Sequence, residues 1–171
     1  MRIQKFIDYL LLEKKYSPKT AVAYQNDIEA FQLFLTQEFS DSEVLQANYS
    51  QIRSWIVHLV DSSISNRTIN RKISSLNSYY KFLLKTASIE VNPLLKHKAL
   101  KVSKKIQIPF SETEVNFVLN SINTNTFEGI RDKLIVELFY STGIRRIELV
   151  QLQLQDVDLS QGHIKVLGKR N

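Results

Sequence analysis

Residues 65–85 read SNRTINRKISSLNSYYKFLLK, and their spacing decides the architecture. Ile69, Ile73, Leu76, Tyr80 and Leu83 recur in alternating steps of four and three, the repeat of one helical face, which predicts a helix from about Asn66 to Lys85. The opposite face carries Arg67, Arg71, Ser74, Ser78, Lys81 and Lys85, and no acid occurs between Asp61 and Glu90. Solvated faces normally mix both signs of charge. Cations flanking small hydroxyls suit a helix lying in a DNA major groove, with serine at the closest approach and Arg or Lys at phosphates or guanine edges. Asn70 is counted with this surface. An ordinary solvated face is the competing reading of the same string.

Upstream, Ile3, Phe6, Ile7 and Leu10 recur at helical spacing in an amphipathic amino terminus. Ser17-Pro18 closes that segment and caps a second helix, from about Pro18 to Phe39, whose inward stripe is Tyr24, Ile28, Phe31 and Leu35. Lys19 and Thr20 at its start are candidate phosphate contacts, beside free backbone N–H groups. A third helix is expected from about Ser50 to Asp61, with Ile52, Trp55, Ile56 and Leu59 inward. Four helices with short connections make a bundle, which Asn92-Pro93 ends.

Downstream, residues 96–107 read KHKALKVSKKIQ, five lysines and no acid, and carry nearly all of the net charge of +6. Residues 1–95 and 108–171 are close to balanced, which divides the chain into a helical unit, a basic linker and a second unit. A lysine run is a solvated linker or a strand crossing a phosphate backbone; Lys101, Lys104 and Lys105 are its candidate DNA contacts. In the second unit, Ser111 and Glu114 form a capping box for a helix reaching about Ser121. Residues 128–141 read as a buried helix with Tyr140 in its core, and Gly143 suits the left-handed position that ends it. After a short helix in IRRIELVQL, the tail QDVDLSQGHIKVLGKRN reads as two strands turning at Ser160-Gln161-Gly162. A lone hairpin is marginal in water, so the second unit reads as cut short.

The absence of cysteine removes disulfides and thiolate metal sites, and His58, His97 and His163 show no zinc-like spacing. Neither a metal nor a cofactor is expected. The amino terminus lacks the pattern of a signal peptide or a membrane span, so a cytoplasmic protein is expected.

The string Ser141-Thr142-Gly143-Ile144-Arg145-Arg146-Ile147-Glu148-Leu149 places Arg145 in the first turn of a new helix, where anions are favoured. Its guanidinium can fork two phosphate oxygens, and Glu148, three residues on, can hold it. An Arg and a Glu at this spacing are also common on surfaces and usually worth little.

Taken whole, T-G-x-R-x-x-E-L resembles the first catalytic-arginine box of tyrosine recombinases, the phage-integrase and Xer-type family. Tyr9-Leu10, Ser17-Pro18-x-Thr20, Tyr24-x-x-Asp27-Ile28 and the run from Ser65 to Leu76 resemble that family's core-binding domain, and the likeness covers the chain in order. The resemblance implies a mainly α fold: an amino-terminal four-helix core-binding (SAM-like) domain, a basic linker, and the first part of a catalytic domain, helices plus a β-hairpin. It implies a clamp on double-stranded DNA, with Arg145 on the scissile phosphate, Glu148 orienting it, and Lys169 as the hairpin lysine acting as general acid. Arg146 is expected at backbone phosphate or solvent, and Ile147 stands where the family more often has a small residue.

The family also needs an H-x-x-R box, a later His or Trp and a nucleophilic tyrosine. The three histidines open HLVD, HKAL and HIKV, and every tyrosine precedes Arg145. The expectation is a recombinase truncated before those residues, which binds DNA and does not cleave it. By the resemblance, the full-length enzyme acts as a tetramer on two paired recombination sites, and this chain alone is monomeric off DNA. The alternatives are a non-catalytic regulator that occupies recombination sites and a helical protein-interaction module.

Overall fold

The computed structural model describes residues 2–40, 43–104 and 106–168. The fold is mainly α, and the chain clusters into two compact units that divide at residues 104 and 105.

In the first unit, α1 (Arg2–Asp8) runs into a π-helical turn, Tyr9–Glu13. There the Lys14 N–H donates to the Tyr9 carbonyl, and the turn keeps Leu10 in the core while leaving Leu12 exposed. Ser17 caps α2 (Pro18–Phe39) by accepting the Thr20 N–H at 3.3 Å, and Pro18 occupies the first helical position, where a missing N–H costs nothing. Asn48 and Gln51 form a reciprocal capping box for α3 (Tyr49–Asp61), and Ser65 caps α4 (Asn66–Lys85). Phe6, Ile28, Phe31, Leu35, Ile52, Trp55, Ile69, Leu76, Tyr80 and Leu83 form the core, with the Phe31 and Trp55 rings 4.9 Å apart. Tyr24 and Leu59, read as inward, are half-buried. Burial pushes the Tyr80 phenol's pKa up, and its O–H donates to the Val44 carbonyl at 2.8 Å.

Beyond α4, buried Asn92 accepts the Leu94 N–H and donates to Asn77 Oδ1, both at 2.8 Å, and so seats Leu94 in the core. Residues 96–104, read in the sequence as linker, cluster with this first unit.

In the second unit, α5 (Glu112–Ser121) starts with the expected box: Ser111 Oγ accepts the Glu114 N–H at 3.3 Å, and Glu114 Oε2 accepts the Ser111 N–H at 2.8 Å. α6 (Phe127–Thr142) is capped by Thr126 and ends at Gly143, whose φ of +64° is the left-handed conformation glycine adopts at no steric cost. α7 (Arg146–Val150) leads to β1 (Val157–Asp158) and β2 (His163–Ile164), antiparallel with Val157 opposite Ile164. Asp158 Oδ1 accepts the N–H groups of Ser160 and Gln161 and shapes the turn.

One expectation fails here. α6 was read as a buried helix, yet none of its residues is buried, and Tyr140, read as core, is 54% exposed. The cause lies in its pattern: Phe127, Ile130, Leu134, Ile135, Val136, Phe139 and Tyr140 are spread around the helix. A helix apolar all round needs neighbours on every side, and α5 packs on only one.

Candidate nucleic-acid interface

The cation-bearing face of α4 is held from beneath by an acid. Asp27 of α2 lies among Ile28 and Phe31 of the core, and a carboxylate there is tolerated only when paired. It accepts Nη1 and Nη2 of Arg71 at 2.5 and 3.1 Å, Nζ of Lys72 at 3.0 Å and the Ser75 hydroxyl at 2.8 Å. The Asp27 side chain is 3% exposed and that of Arg71 52%. Arg71 therefore stands at the surface with two of its N–H groups committed below.

The other positions read from the sequence differ in how much of their chemistry is free. Arg67, Lys81 and Lys19 are exposed and make no ion pair among the described residues. The Ser74 hydroxyl donates to the Asn70 carbonyl, and the Thr20 hydroxyl is 2.9 Å from that of Ser17. Ser78 is half-buried and lines a groove of about 230 Å³ with Tyr9, Lys14, Tyr16 and Lys81. Asn70 spends its amide on main chain: Oδ1 accepts the Leu100 N–H and Nδ2 donates to the Leu100 carbonyl, both at 2.9 Å. Asn66 Nδ2 donates to the Lys101 carbonyl at 2.9 Å. The side chains of Lys101 and Lys104 are exposed; Lys105 lies outside the described residues.

Sequence reasoning missed Asp27, Lys72, Ser75 and Asn66. A signal existed for Asp27, an acid on the apolar side of α2 near its middle, which calls for a cation on the helix packed against it.

In the second unit the Thr142 hydroxyl accepts the Ile144 N–H at 3.2 Å, and the chain turns through Gly143 into α7. Arg145 is the residue before α7, with extended backbone, rather than a member of its first turn. Glu148 explains that position: Oε2 accepts the Arg145 N–H at 3.0 Å, as a capping acid does, while Oε1 accepts Arg145 Nη1 at 2.6 Å. The backbone bond, and then the guanidinium, hold the Glu148 carboxyl below its usual pKa range. Glu148 is 7% exposed and Arg145 66%, so a shielded carboxylate again fixes an exposed guanidinium. Arg146 and Ile147 are exposed. Lys169 lies outside the described residues. Among the described residues there is no cluster of three metal-ligating side chains, and no helix is long and apolar enough to cross a membrane.

Residues 3–86 match the phage integrase N-terminal SAM-like domain, and residues 110–171 match the phage integrase family. The chain belongs to the phage-integrase family of tyrosine recombinases. It is 37% identical over 169 residues to the tyrosine recombinase XerC of Oceanobacillus iheyensis, covering 98% of this chain and 54% of that protein. It is 38% identical over 168 residues to that of Anoxybacillus flavithermus, covering 97% and 55%. The chain thus spans about half the length of the curated relatives it matches. Among solved structures, the Tn1549 transposon integrase in complex with circular intermediate DNA shares the fold, with a TM-score of 0.68 over 93% of this chain and 51% of that one, at 15% identity.

Proposed function

We propose that this chain is the DNA-holding portion of a tyrosine site-specific recombinase: it grips a duplex recombination site and presents Arg145 to the scissile phosphate. The observation that carries the reading is the Arg145–Glu148 pair at 2.6 Å, in the string that resembles the family's arginine box. Arg145 has five N–H donors and shares Nη1 with Glu148, which leaves donors for non-bridging phosphate oxygens. Charge builds on those oxygens as phosphorus becomes five-coordinate, so a guanidinium already fixed in place stabilises the transition state more than the ground state. By the sequence resemblance, Lys169 is the counterpart of the hairpin lysine that protonates the leaving 5′ oxygen. In the whole protein, a tyrosine oxygen would displace that 5′ oxygen and form a 3′-phosphotyrosine. A 5′ hydroxyl of the partner strand would then reverse the step, on paired sites held by a tetramer.

In the first unit, Arg67, Arg71, Lys81 and Lys19 supply the phosphate contacts, with Thr20, Ser74 and Ser78 beside them and Lys101, Lys104 and Lys105 continuing the charge along residues 96–107. The chain binds duplex DNA and does not cut it, because no tyrosine follows the arginine box within it. The test is titration of the chain against a duplex half-site at several salt concentrations, with a nicked suicide substrate in parallel. Tight binding that falls steeply with salt, without covalent capture, is the expected result. A stable protein–DNA adduct, or affinity unchanged by replacing Arg67, Arg71 and Lys81 with Ala, would overturn the reading.

A further inference from the structure

Asn70 sits on the cation-bearing face of α4, where a side-chain amide could read adenine through a donor and an acceptor used together. Both are already taken. The Leu100 N–H donates to Oδ1 and the Leu100 carbonyl accepts from Nδ2, each at 2.9 Å across 30 residues of sequence. The two bonds fix the orientation of the amide, since a flipped Asn70 would set donor against donor and acceptor against acceptor. One turn earlier, Asn66 Nδ2 donates to the Lys101 carbonyl. Leu100 also packs against the core of the first unit. Two asparagines of one helix thus bind the main chain of two consecutive residues in the lysine-rich segment.

We infer that Asn70, with Asn66, is a positioning residue: a clip that lays the start of the basic linker on α4 before DNA arrives, instead of reading a base. The inference rests on the DNA-holding function proposed above. Its consequence is geometric. Without the clip, the last residue of this segment hydrogen-bonded to the first unit, among the described residues, would be His97, whose N–H donates to the Leu94 carbonyl and whose ring lies beside Tyr49, and beyond it only the Leu100 side chain would rest on the core. With it, the last such residue is Lys101, and residues 102–110 separate it from the Ser111 cap. Those residues reach at most about 30 Å, at roughly 3.3–3.6 Å each. The clip shortens the tether by up to four residues, 98–101, and holds the main chain of Lys101 beside the turn that carries Arg67. Effective concentration falls with about the three-halves power of tether length, so releasing the clip lowers the affinity for any duplex by at most about twofold.

The experiment compares the unsubstituted chain with Asn70→Ala, Asn66→Ala and Leu100→Pro; the proline removes the N–H that Asn70 accepts while leaving α4 untouched. Hydrogen exchange of the Leu100 amide in the DNA-free protein should rise about tenfold in Asn70→Ala, the loss expected for one net hydrogen bond. Trypsin cleavage after Lys101 should quicken in all three variants, with the melting of the first unit followed as a control for folding. Duplex affinity should then fall by the same factor on every sequence in a panel of single base-pair changes.

Unchanged Leu100 exchange in Asn70→Ala would overturn the clip. A loss of discrimination at one base pair, with exchange and cleavage unaltered, would make Asn70 a base reader. Altered exchange in a chain that binds no duplex at all would refute the DNA-holding function itself and confine the clip to the fold.

Discussion

Replacing Asp27 by Ala tests the arrangement beneath the α4 surface. The carboxylate is 3% exposed and accepts four hydrogen bonds, from Arg71, Lys72 and Ser75. Once it is gone, Arg71, more than half exposed, can turn its guanidinium to water at little cost. Lys72 cannot do so as easily, since only 19% of its side chain is exposed, and Ser75 is fully buried. Removing one partner of a buried pair costs about 3–5 kcal/mol. The freedom of Arg71 argues for the lower end, near 3 kcal/mol, against a typical domain stability of about 5–15 kcal/mol. For a unit of residues 1–104, that is a fall in melting temperature on the order of 12–24 °C. Asp27→Asn keeps the shape and one acceptor oxygen and should lose less. The assay is thermal and urea unfolding followed by helix signal and Trp55 fluorescence, since Trp55 is the chain's single tryptophan and lies in this core. A loss below about 1 kcal/mol for Asp27→Ala, the range of an exposed pair, would refute the claim that this cluster is structural.

Gly129→Ala in the first turn of α6 should destabilise the second unit, because a Cβ there would lie 1.7 Å from the Asn123 carbonyl oxygen; circular dichroism should show weakened helix, whereas a neutral substitution would contradict that approach. Burial lowers the His97 pKa, so the unfolded chain binds its proton more readily than the folded one. The contribution is present above the ordinary value of 6.5 and is lost as pH falls through the lower folded value, and His97→Gln should abolish that dependence in urea titrations. Glu148 behaves likewise from a starting value of 4.5: its bonds to Arg145 are present above that value and lost as pH falls through the depressed one, which exchange of the Arg145 amide should follow. Amides of α5 and α6 should exchange faster than those of α2 and α4, because among the described residues the second unit buries only Glu148 whereas the first encloses a continuous apolar core.

The first unit was legible because its signals agree with one another. Four apolar stripes, a Ser-Pro start at Ser17-Pro18 and the Asn92-Pro93 stop all describe one bundle, and α2 and α4 begin and end where the pattern places them. What escaped was pairing between elements distant in sequence. Arg71 read as a free cation because no acid between Asp61 and Glu90 could neutralise it, while its partner lay 44 residues upstream. The bonds of Asn70 to Leu100 were invisible for the same reason, since the partner is a main-chain amide, which no side-chain pattern reports. In the second unit, periodicity located α6 but could not say what covers it, because an all-round apolar helix gives no preferred face. Local signals succeeded there instead: the Ser111 box, Gly143 and the Arg145–Glu148 spacing each involve residues within a few positions of one another.

Both units solve one problem in the same way, and the difference between the solutions predicts how their arginines divide between stability and function. A long cation meets a phosphate at an entropic cost unless something fixes it first. Asp27 fixes Arg71 and Glu148 fixes Arg145, each through a carboxylate almost closed to water. At Asp27 a second cation, Lys72, shares the acid, so the cluster keeps a net positive charge, and Arg71 is also part of what holds α2 to α4. At Glu148 the charges cancel, but the acid's other oxygen is satisfied by backbone N–H, which leaves the α7 start intact without the guanidinium. Arg71→Ala should therefore lower stability and duplex affinity together, whereas Arg145→Ala, which leaves Glu148 its backbone bond, should lower melting less and act chiefly on what happens at the phosphate. Equal losses of stability in the two variants would show that Arg145 is a structural residue like Arg71.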